Sequence, residues 1–412
     1  MNRRRTLSIH QYRGATGKKI KESRVSDVVL MVCPEYWQDG VDAAICEGIR
    51  LLGGIESIFG KEERILLKPN LLAKAEPDRA VTTHPTVFKA VGAYLREQGY
   101  EHLSYGDSPG NPLGGVARVA AGCGLKEPAE ELEIPLGDFS QGQKVNFEQG
   151  QTEKEFIISK GILDCDGIVN ICKMKTHQLE RITGAAKNMF GAVYGVNKGA
   201  FHAKYTDADS FGAMIADLNN LVKARLHIMD GILAMEGNGP QSGTPVAMGL
   251  LLFSKDPIAL DTVFCHLIGL NPELVPTNRY GQQYGVGTMD AEKIRVRTIQ
   301  GDMTVEKVAK RYGKEDYDVY RGTEKATQIR LLKPIQSLLQ KKPYILREKC
   351  IKCGICAESC PLEKKALEMS GYPKYAYKAC IRCYCCQEMC PQKAIDVKVP
   401  LLARIMDRNW KI

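Results

Sequence analysis

The cysteines between residues 350 and 391 carry the most specific chemistry in the chain. They read Cys350-x2-Cys353-x2-Cys356-x3-Cys360-Pro361, then Cys380-x2-Cys383-x2-Cys386-x3-Cys390-Pro391. That is the spacing of a two-cluster iron–sulfur protein, in which three close thiolates surround one cluster and the fourth crosses to the other. It predicts two 4Fe-4S clusters. One would sit on Cys350, Cys353, Cys356 and Cys390, and the other on Cys380, Cys383, Cys386 and Cys360. Disulfides would need an oxidising compartment, and nothing in the sequence points to secretion. Structural zinc often takes histidine, which this stretch lacks, and has no use for the Cys-Pro endings. Cys385 is an extra thiol that leaves the choice between itself and Cys386 open.

A second concentration of chemistry lies upstream, in polar stretches marked by Gly and Pro. These are Lys68-Pro69-Asn70, Gly106-Asp107-Ser108, Lys173-Met174-Lys175-Thr176-His177, the block around Lys187-Asn188 and His202, and Asp230-Gly231 with Glu236-Gly237-Asn238. Gly-rich loops let backbone N–H groups approach a ligand, and lysines favour phosphate or carboxylate. The candidate ligand contacts are Lys68, Asn70, Asp107, Lys173, Lys175, Asn188, Asp230, Glu236 and Asn238. The candidate catalytic residues are His177, Lys187 and His202, because imidazole titrates nearest neutrality and can pass a proton. Each stretch alone has a plainer reading: Asp107 and Asp230 could fix turns, and Asp256-Pro257 reads as a helix N-cap.

These residues need a scaffold, and the periodicity supplies one. Buried-strand signals at Asp27–Cys33, Ile65–Leu67, Leu103–Tyr105, Phe156–Ser159, Gly167–Cys172, Leu226–Met229, Gly249–Phe253 and Ile294–Ile299 alternate with helical segments. The helical segments include Val41–Leu52, Val87–Leu95, Gly184–Val193, Ser210–Ala224 and Ile258–Ile268, while Glu127–Glu153 is less regular. This alternation predicts an α/β fold: a three-layer body with a mostly parallel sheet, plus a small α+β ferredoxin-like two-cluster domain. In such sheets ligands bind beyond the carboxyl ends of the strands, where the polar stretches fall. The expected division is a basic tail (1–25), the body (26–316), a linker (317–343), the cluster domain (344–397) and a C-terminal helix (398–412).

At 412 residues and 44% apolar, the chain is long enough for two or three globular domains. No apolar run reaches the roughly 18 residues of a membrane span. The formal charge is +9; two oxidised clusters at about −2 each would leave roughly +5. That mild excess favours anionic small molecules and does not single out nucleic acid. The paired arginines near the start lack the apolar stretch of an export signal. The scattered Cys33, Cys46, Cys123, Cys165, Cys172 and Cys265 read as buried thiols in a reducing cytoplasm.

The upstream motifs, with Asp256-Pro257-Ile258-Ala259-Leu260-Asp261, resemble the domain of unknown function 362 family over about residues 26–315. The resemblance implies a fold and a site, without a substrate. His177, Lys187 and His202 are also similar in spacing to a His, Lys, His pattern of the nickel-pincer lactate racemase family, with His84 as a further counterpart. That similarity implies a shared fold and site position. Taken together, the residues predict an oxidoreductase in which the clusters exchange electrons with an anionic ligand on the body and with a redox partner protein. A carrier without its own catalysis, or a metal- or cofactor-dependent enzyme, are the alternatives.

Overall fold

The computed structural model describes residues 25–110, 115–195, 197–322 and 340–401. The basic tail, most of the C-terminal helix and most of the linker lie outside these residues.

The main sheet has nine strands. In chain order they are β1 (Ser26–Val32), β2 (Ile65–Pro69), β3 (Leu103–Tyr105), then, after a separate hairpin of β4 (Gly142–Asn146) and β5 (Glu155–Ser159), β6 (Gly167–His177), β7 (Arg181–Thr183), β8 (Leu226–Glu236), β9 (Thr244–Ser254), β10 (Ile294–Thr298) and β11 (Gly301–Met303). The spatial order is β11-β10-β1-β9-β8-β6-β2-β3, with β7 folded back on β6. Strands β3, β2, β6, β8, β1 and β10 all point one way, and β9 is antiparallel to both β8 and β1. The body is α/β with a mostly parallel sheet, as the alternation predicts.

Side-chain alternation sets up the layers. Val29 and Met31 face helices Gln38–Leu51 and Pro85–Glu97, while Val28 and Leu30 face helices Pro257–Leu267 and Val305–Tyr312. A third apolar cluster, around Phe156, Met189, Phe190 and Phe211, packs helix Ala208–Val222 against Leu66 and Ile168. Such continuous burial on both faces is why the strands read as unbroken apolar runs.

Five segments differ from the sequence expectation. Strand β6 continues through Lys173–His177, and β8 continues through Asp230-Gly231 to Glu236, so these motifs lie on strands rather than beyond them. A register shift between Lys173 and Lys175 marks where β6 and β8 diverge. The irregular patch contains a short helix at Lys126–Glu131 and β4, and β5 pairs with β4 and makes one further bridge, Ile158 with Val193. Gly184–Val193 forms a four-residue helix, Ala185–Asn188, followed by a 3-10 turn. The expected linker starts packed on the body: Tyr317 is buried and its hydroxyl donates to Met235 O at 2.6 Å.

The C-terminal region is small. It holds β12 (Lys342–Ile345) paired with β15 (Ile395–Lys398), a hairpin of β13 (Leu367–Ser370) and β14 (Tyr372–Tyr375), and two four-residue helices, Ile355–Glu358 and Cys385–Glu388. No helix among the described residues is long and apolar enough to cross a membrane.

Asp256 caps helix Pro257–Leu267 as the Asp-Pro pair suggests, its Oδ1 accepting from the amides of Ile258 and Ala259 at 2.9 Å. Its Oδ2 accepts from Ser26 Oγ at 2.7 Å and Thr288 N at 3.0 Å, tying β1 and the 288 loop to the helix. Asp256→Ala is expected to destabilise the fold by about 2 kcal/mol in chemical denaturation. Asp256→Asn should recover much of that; equal losses would remove the capping account.

Candidate functional site

The carboxyl edge of β2, β6 and β8 buries a set of lysines, and their partners decide what each can do. Lys68, fully buried at the end of β2, lies 2.9 Å from Asp107 Oδ1 and donates to Asn188 O at 2.7 Å. Asp107 follows β3, and its Oδ2 accepts from Leu71 N at 2.9 Å, so the ion pair fastens the loops after two strands together. Lys173 lies 2.7 Å from Asp230 Oδ2, both side chains fully buried. Tyr36 completes that pair by donating to Asp230 Oδ1 at 2.8 Å, and its ring stacks on His84.

Two residues along β6 the environment changes. Lys175 donates to Asn70 Oδ1 at 2.8 Å and to Val81 O at 2.5 Å, both neutral acceptors. Burial, helped by the charges of Lys187 and Lys173, pushes its ammonium down to about 7. Lys198 likewise donates only to the carbonyls of Ser108 and Pro109, and burial takes it to about 7. Asn70, Asn188 and Asn170 form a buried amide chain through two 2.7 Å hydrogen bonds, which holds Asn70 toward Lys175.

Lys175 and Lys198 line a cavity of about 540 Å³ together with Asn70, Asp107, His177, Lys187, Asn188 and His202. The opposite wall comes from the C-terminal region, with Glu358, Cys360, Lys365, Cys385 and Glu388. The cavity therefore lies between the two parts of the chain. Gln387 secures this seam by donating to Asn238 O at 2.8 Å and to Asn238 Oδ1 at 3.0 Å, and Asn238 donates to Ile395 O at 3.0 Å.

His177 Nε2 lies 2.9 Å from Glu388 Oε1 across that seam. On its other side, Nδ1 accepts the backbone N–H groups of Leu179 and Glu180 at 3.1 Å, which assigns the ring proton to Nε2. Burial, with Lys187, lowers the imidazole to about 4 against the pull of Glu388. His202 stacks on Phe211 with centroids 4.5 Å apart, and burial takes it to about 3. Burial works against the Glu388 carboxylate, yet His177 and Lys187 together hold it below the ordinary range. His177 Nε2, His202 Nδ1 and Glu388 Oε1 are all buried without an aligned hydrogen-bond partner among the described residues. Such atoms mark a place built to meet a ligand.

Of the residues expected to bind ligand, Asn70, Asp107, Lys175 and Asn188 line the cavity, with His177, Lys187 and His202. Lys68, Lys173 and Asp230 do not; they form the ion pairs behind it. Glu236 accepts from Asp318 N at 2.9 Å, and Asn238 belongs to the seam. Lys198 and Glu388 were not singled out by sequence reasoning. Lys198 carried no motif, and Glu388 sits among cysteines whose spacing pointed only to iron.

The cysteines fall into two groups. Cys350, Cys353, Cys356 and Cys390 line one small cavity, and Cys360, Cys380, Cys383 and Cys386 line another. The backbone repeats with them: Lys352 and Arg382 have φ of 61° and 60°, and Gly354 and Tyr384 have φ of 81° and 63°. Ala366 N donates to Cys360 Sγ at 3.4 Å and Ala394 N to Cys390 Sγ at 3.2 Å. Among the described residues no three His, Cys, Asp or Glu side chains converge on a single ion. Two groups of four thiols at the dicluster spacing fit multinuclear iron–sulfur groups. Cys386 takes its place in the second ring, while Cys385 faces the body cavity.

Comparisons with known proteins agree with this division. Residues 65–266 match the family described as a domain of unknown function (DUF362), and residues 342–391 match a 4Fe-4S dicluster domain. A thylakoid-associated protein of Synechocystis is 33% identical over 269 residues, which span 65% of this chain and 82% of that protein. This chain belongs to the DUF362 family and carries a C-terminal iron–sulfur domain. Among solved structures, the lactate racemase apoprotein of Thermoanaerobacterium thermosaccharolyticum matches with a TM-score of 0.37 at 10% identity, covering 58% of this chain and 56% of that one.

Two outcomes follow from the buried cations. A Cβ on Gly191 would collide with Asp107 Oδ1 and crowd Lys68 Nζ, so Gly191→Ala should lower stability by about 3 kcal/mol and loosen the cavity. Denaturant unfolding checks this, and a neutral effect would overturn it. Lys175 and Lys198 lose their protons near pH 7, so binding of a small dianion such as oxalate should weaken as pH rises from 6 to 9. The limiting slope is about tenfold per unit for each lysine that must be charged. His177 and His202 are neutral over that range and add no slope. Calorimetric titration across pH reads it, and a flat profile would exclude both lysines.

Proposed function

We propose that this protein is an iron–sulfur oxidoreductase that exchanges electrons with a small anionic ligand held between the body and the C-terminal region. The observation that carries this reading is the shared wall: Cys360 lines both the ligand cavity and the second cysteine ring, and Cys385 faces the same cavity. In this reading residues 26–316 hold the ligand and residues 344–397 hold two 4Fe-4S clusters, on the two ligand sets given by the spacing. When bound, such clusters supply one electron at a time.

The residues of the chain then divide the remaining work. Lys175, Lys187 and Lys198 set the cavity's preference for an anion, and Asn70 and Asn188 hold Lys175 in place. The histidines expected as proton donors are neutral in the folded protein, since burial takes them to about 4 and about 3. A neutral imidazole gives up its N–H proton only with great difficulty. His177 therefore keeps its Nε2–H toward Glu388 across the seam, and the acid is Lys175, whose ammonium at about 7 is poised to release a proton near neutrality. Glu388 holds His177 in its orientation from the other side of the seam. A carrier that only docks would have no use for Lys175, Lys187 and Lys198 around one cavity, which favours the enzyme.

Of the six scattered thiols expected to be buried, Cys46 is exposed and Cys165 half-buried; the buried Cys33, Cys123, Cys172 and Cys265 support a reducing compartment, and we place the protein in the cytoplasm. The Synechocystis relative is named for association with thylakoids, so a membrane-bound partner on that side is compatible with this placement.

The test is anaerobic reconstitution, chemical reduction, and a screen of small 2-oxo acids and phosphate esters for reoxidation followed by visible absorbance. At least one should reoxidise the protein, with Lys175→Met slowing the reaction by about 100-fold. Iron should be about eight per chain, falling to about four in Cys380→Ser. A fully loaded protein that binds no anion would sink the enzyme reading while leaving the clusters standing.

A further inference from the structure

The two cysteine rings are not equally placed. The ring of Cys360, Cys380, Cys383 and Cys386 borders the ligand cavity, and three of its four cysteines are buried. In the other ring Cys353 is exposed and Cys350 half-buried, and the neighbouring Ile351 is 60% exposed. A largely exposed isoleucine thus stands beside the cysteines of this ring, where an apolar contact with a partner would bury it.

The charges round that rim are mostly positive. Arg347, Lys349 and Lys352 are exposed. The guanidinium of Arg347 and the ammonium of Lys352 lie over the Tyr372 ring, at 5.6 Å and 4.3 Å from its centroid. Lys393 is near enough to Arg79 and Lys349 for both charges to act on it, with burial the larger influence, and its Nζ has no hydrogen-bond partner among the described residues. The acids in the same neighbourhood are Glu348, between Arg347 and Lys349, and Asp78. No carboxylate of the described residues forms an ion pair with Arg347, Lys349 or Lys352.

We propose that this rim is the docking surface for an acidic one-electron carrier protein, with Ile351 at its centre and the cations around it. The proposal rests on the cluster assignment above but not on the identity of the cavity ligand. The exchange is one electron: the carrier is oxidised by one, the protein is reduced by one, and no bond or proton is involved. Charge complementarity of this kind governs encounter rate and salt dependence. An anionic membrane would also meet a basic rim, but it would have no need to meet it at the exposed cluster ligand.

The experiment uses the reconstituted full-length protein and an acidic plant-type ferredoxin as probe, titrated calorimetrically at low and high salt without oxygen. Arg347, Lys349 and Lys352 are changed together to Glu. Expected is a loss of about tenfold or more in affinity and of most of the salt dependence. Iron content and oxalate binding should not change, whereas Lys307→Glu, on body helix Val305–Tyr312, should bind the ferredoxin like the parent. Ile351→Ser should weaken binding without changing its salt dependence. Parent-like ferredoxin binding by the triple variant would overturn the proposal. So would binding of the parent to phosphatidylglycerol vesicles with no binding to the ferredoxin. A failure of oxalate binding alone would count against the cavity reading and leave the docking surface intact.

Discussion

Removing an ammonium from water costs several kcal/mol unless an opposite charge compensates for it, and this fold removes four of them at one sheet edge. Lys68 and Lys173 receive a carboxylate each, from Asp107 and Asp230. Those pairs do structural work: they join the loops after β2 and β3 and bind β6 to β8 where the two strands separate. Lys175 and Lys198 receive only neutral oxygen atoms. Both are pushed down to about 7, and both line the cavity. The missing negative charge is the strongest physical statement the site makes. It says what class of ligand would complete the interior.

The cavity also depends on the seam. Lys175 and His177 line the cavity that the C-terminal region walls on one side. Closing the seam brings Glu388 against His177, on the four-residue helix that also carries Cys385 and Cys386. Gln387 on the same turn is fully buried and fixed to Asn238. Cys385 and Glu388, which line the cavity, and Cys386 of the second cysteine group therefore share one short helix. In the proposed reading a change in charge on one side of it would act on the other, equally in both directions.

Much of this was legible in the chain. The cysteine spacing alone separated two rings, because backbone reach between close thiols leaves few alternatives. The strands and helices of the body were readable because burial on both faces gives unbroken apolar runs. What escaped was partnership across the sheet. Lys173 and Lys175 look equivalent in sequence, yet one meets Asp230 and the other Asn70, so one is scaffold and the other faces the cavity. The Lys-x-Lys-x-His alternation at 173–177 was itself a strand signal, masked by the polar character of those residues. Glu388 was hidden for a different reason. Its role exists only when two regions remote in sequence dock, and no local pattern encodes that.

The placement of the two cysteine rings gives the arrangement a direction. One ring opens at the surface beside Cys353, and the other closes against the cavity through Cys360. A protein that only stored electrons would gain nothing from burying one ring against three lysines. In the proposed reading the order is an accessible end for a partner and a buried end at the ligand, where electrostatic interactions are stronger. The same burial that makes Lys175 a weak base makes its pairing with an anion worth more than it would be in water. On that reading ligand preference and proton availability share one physical cause, the burial of the lysines beside the seam.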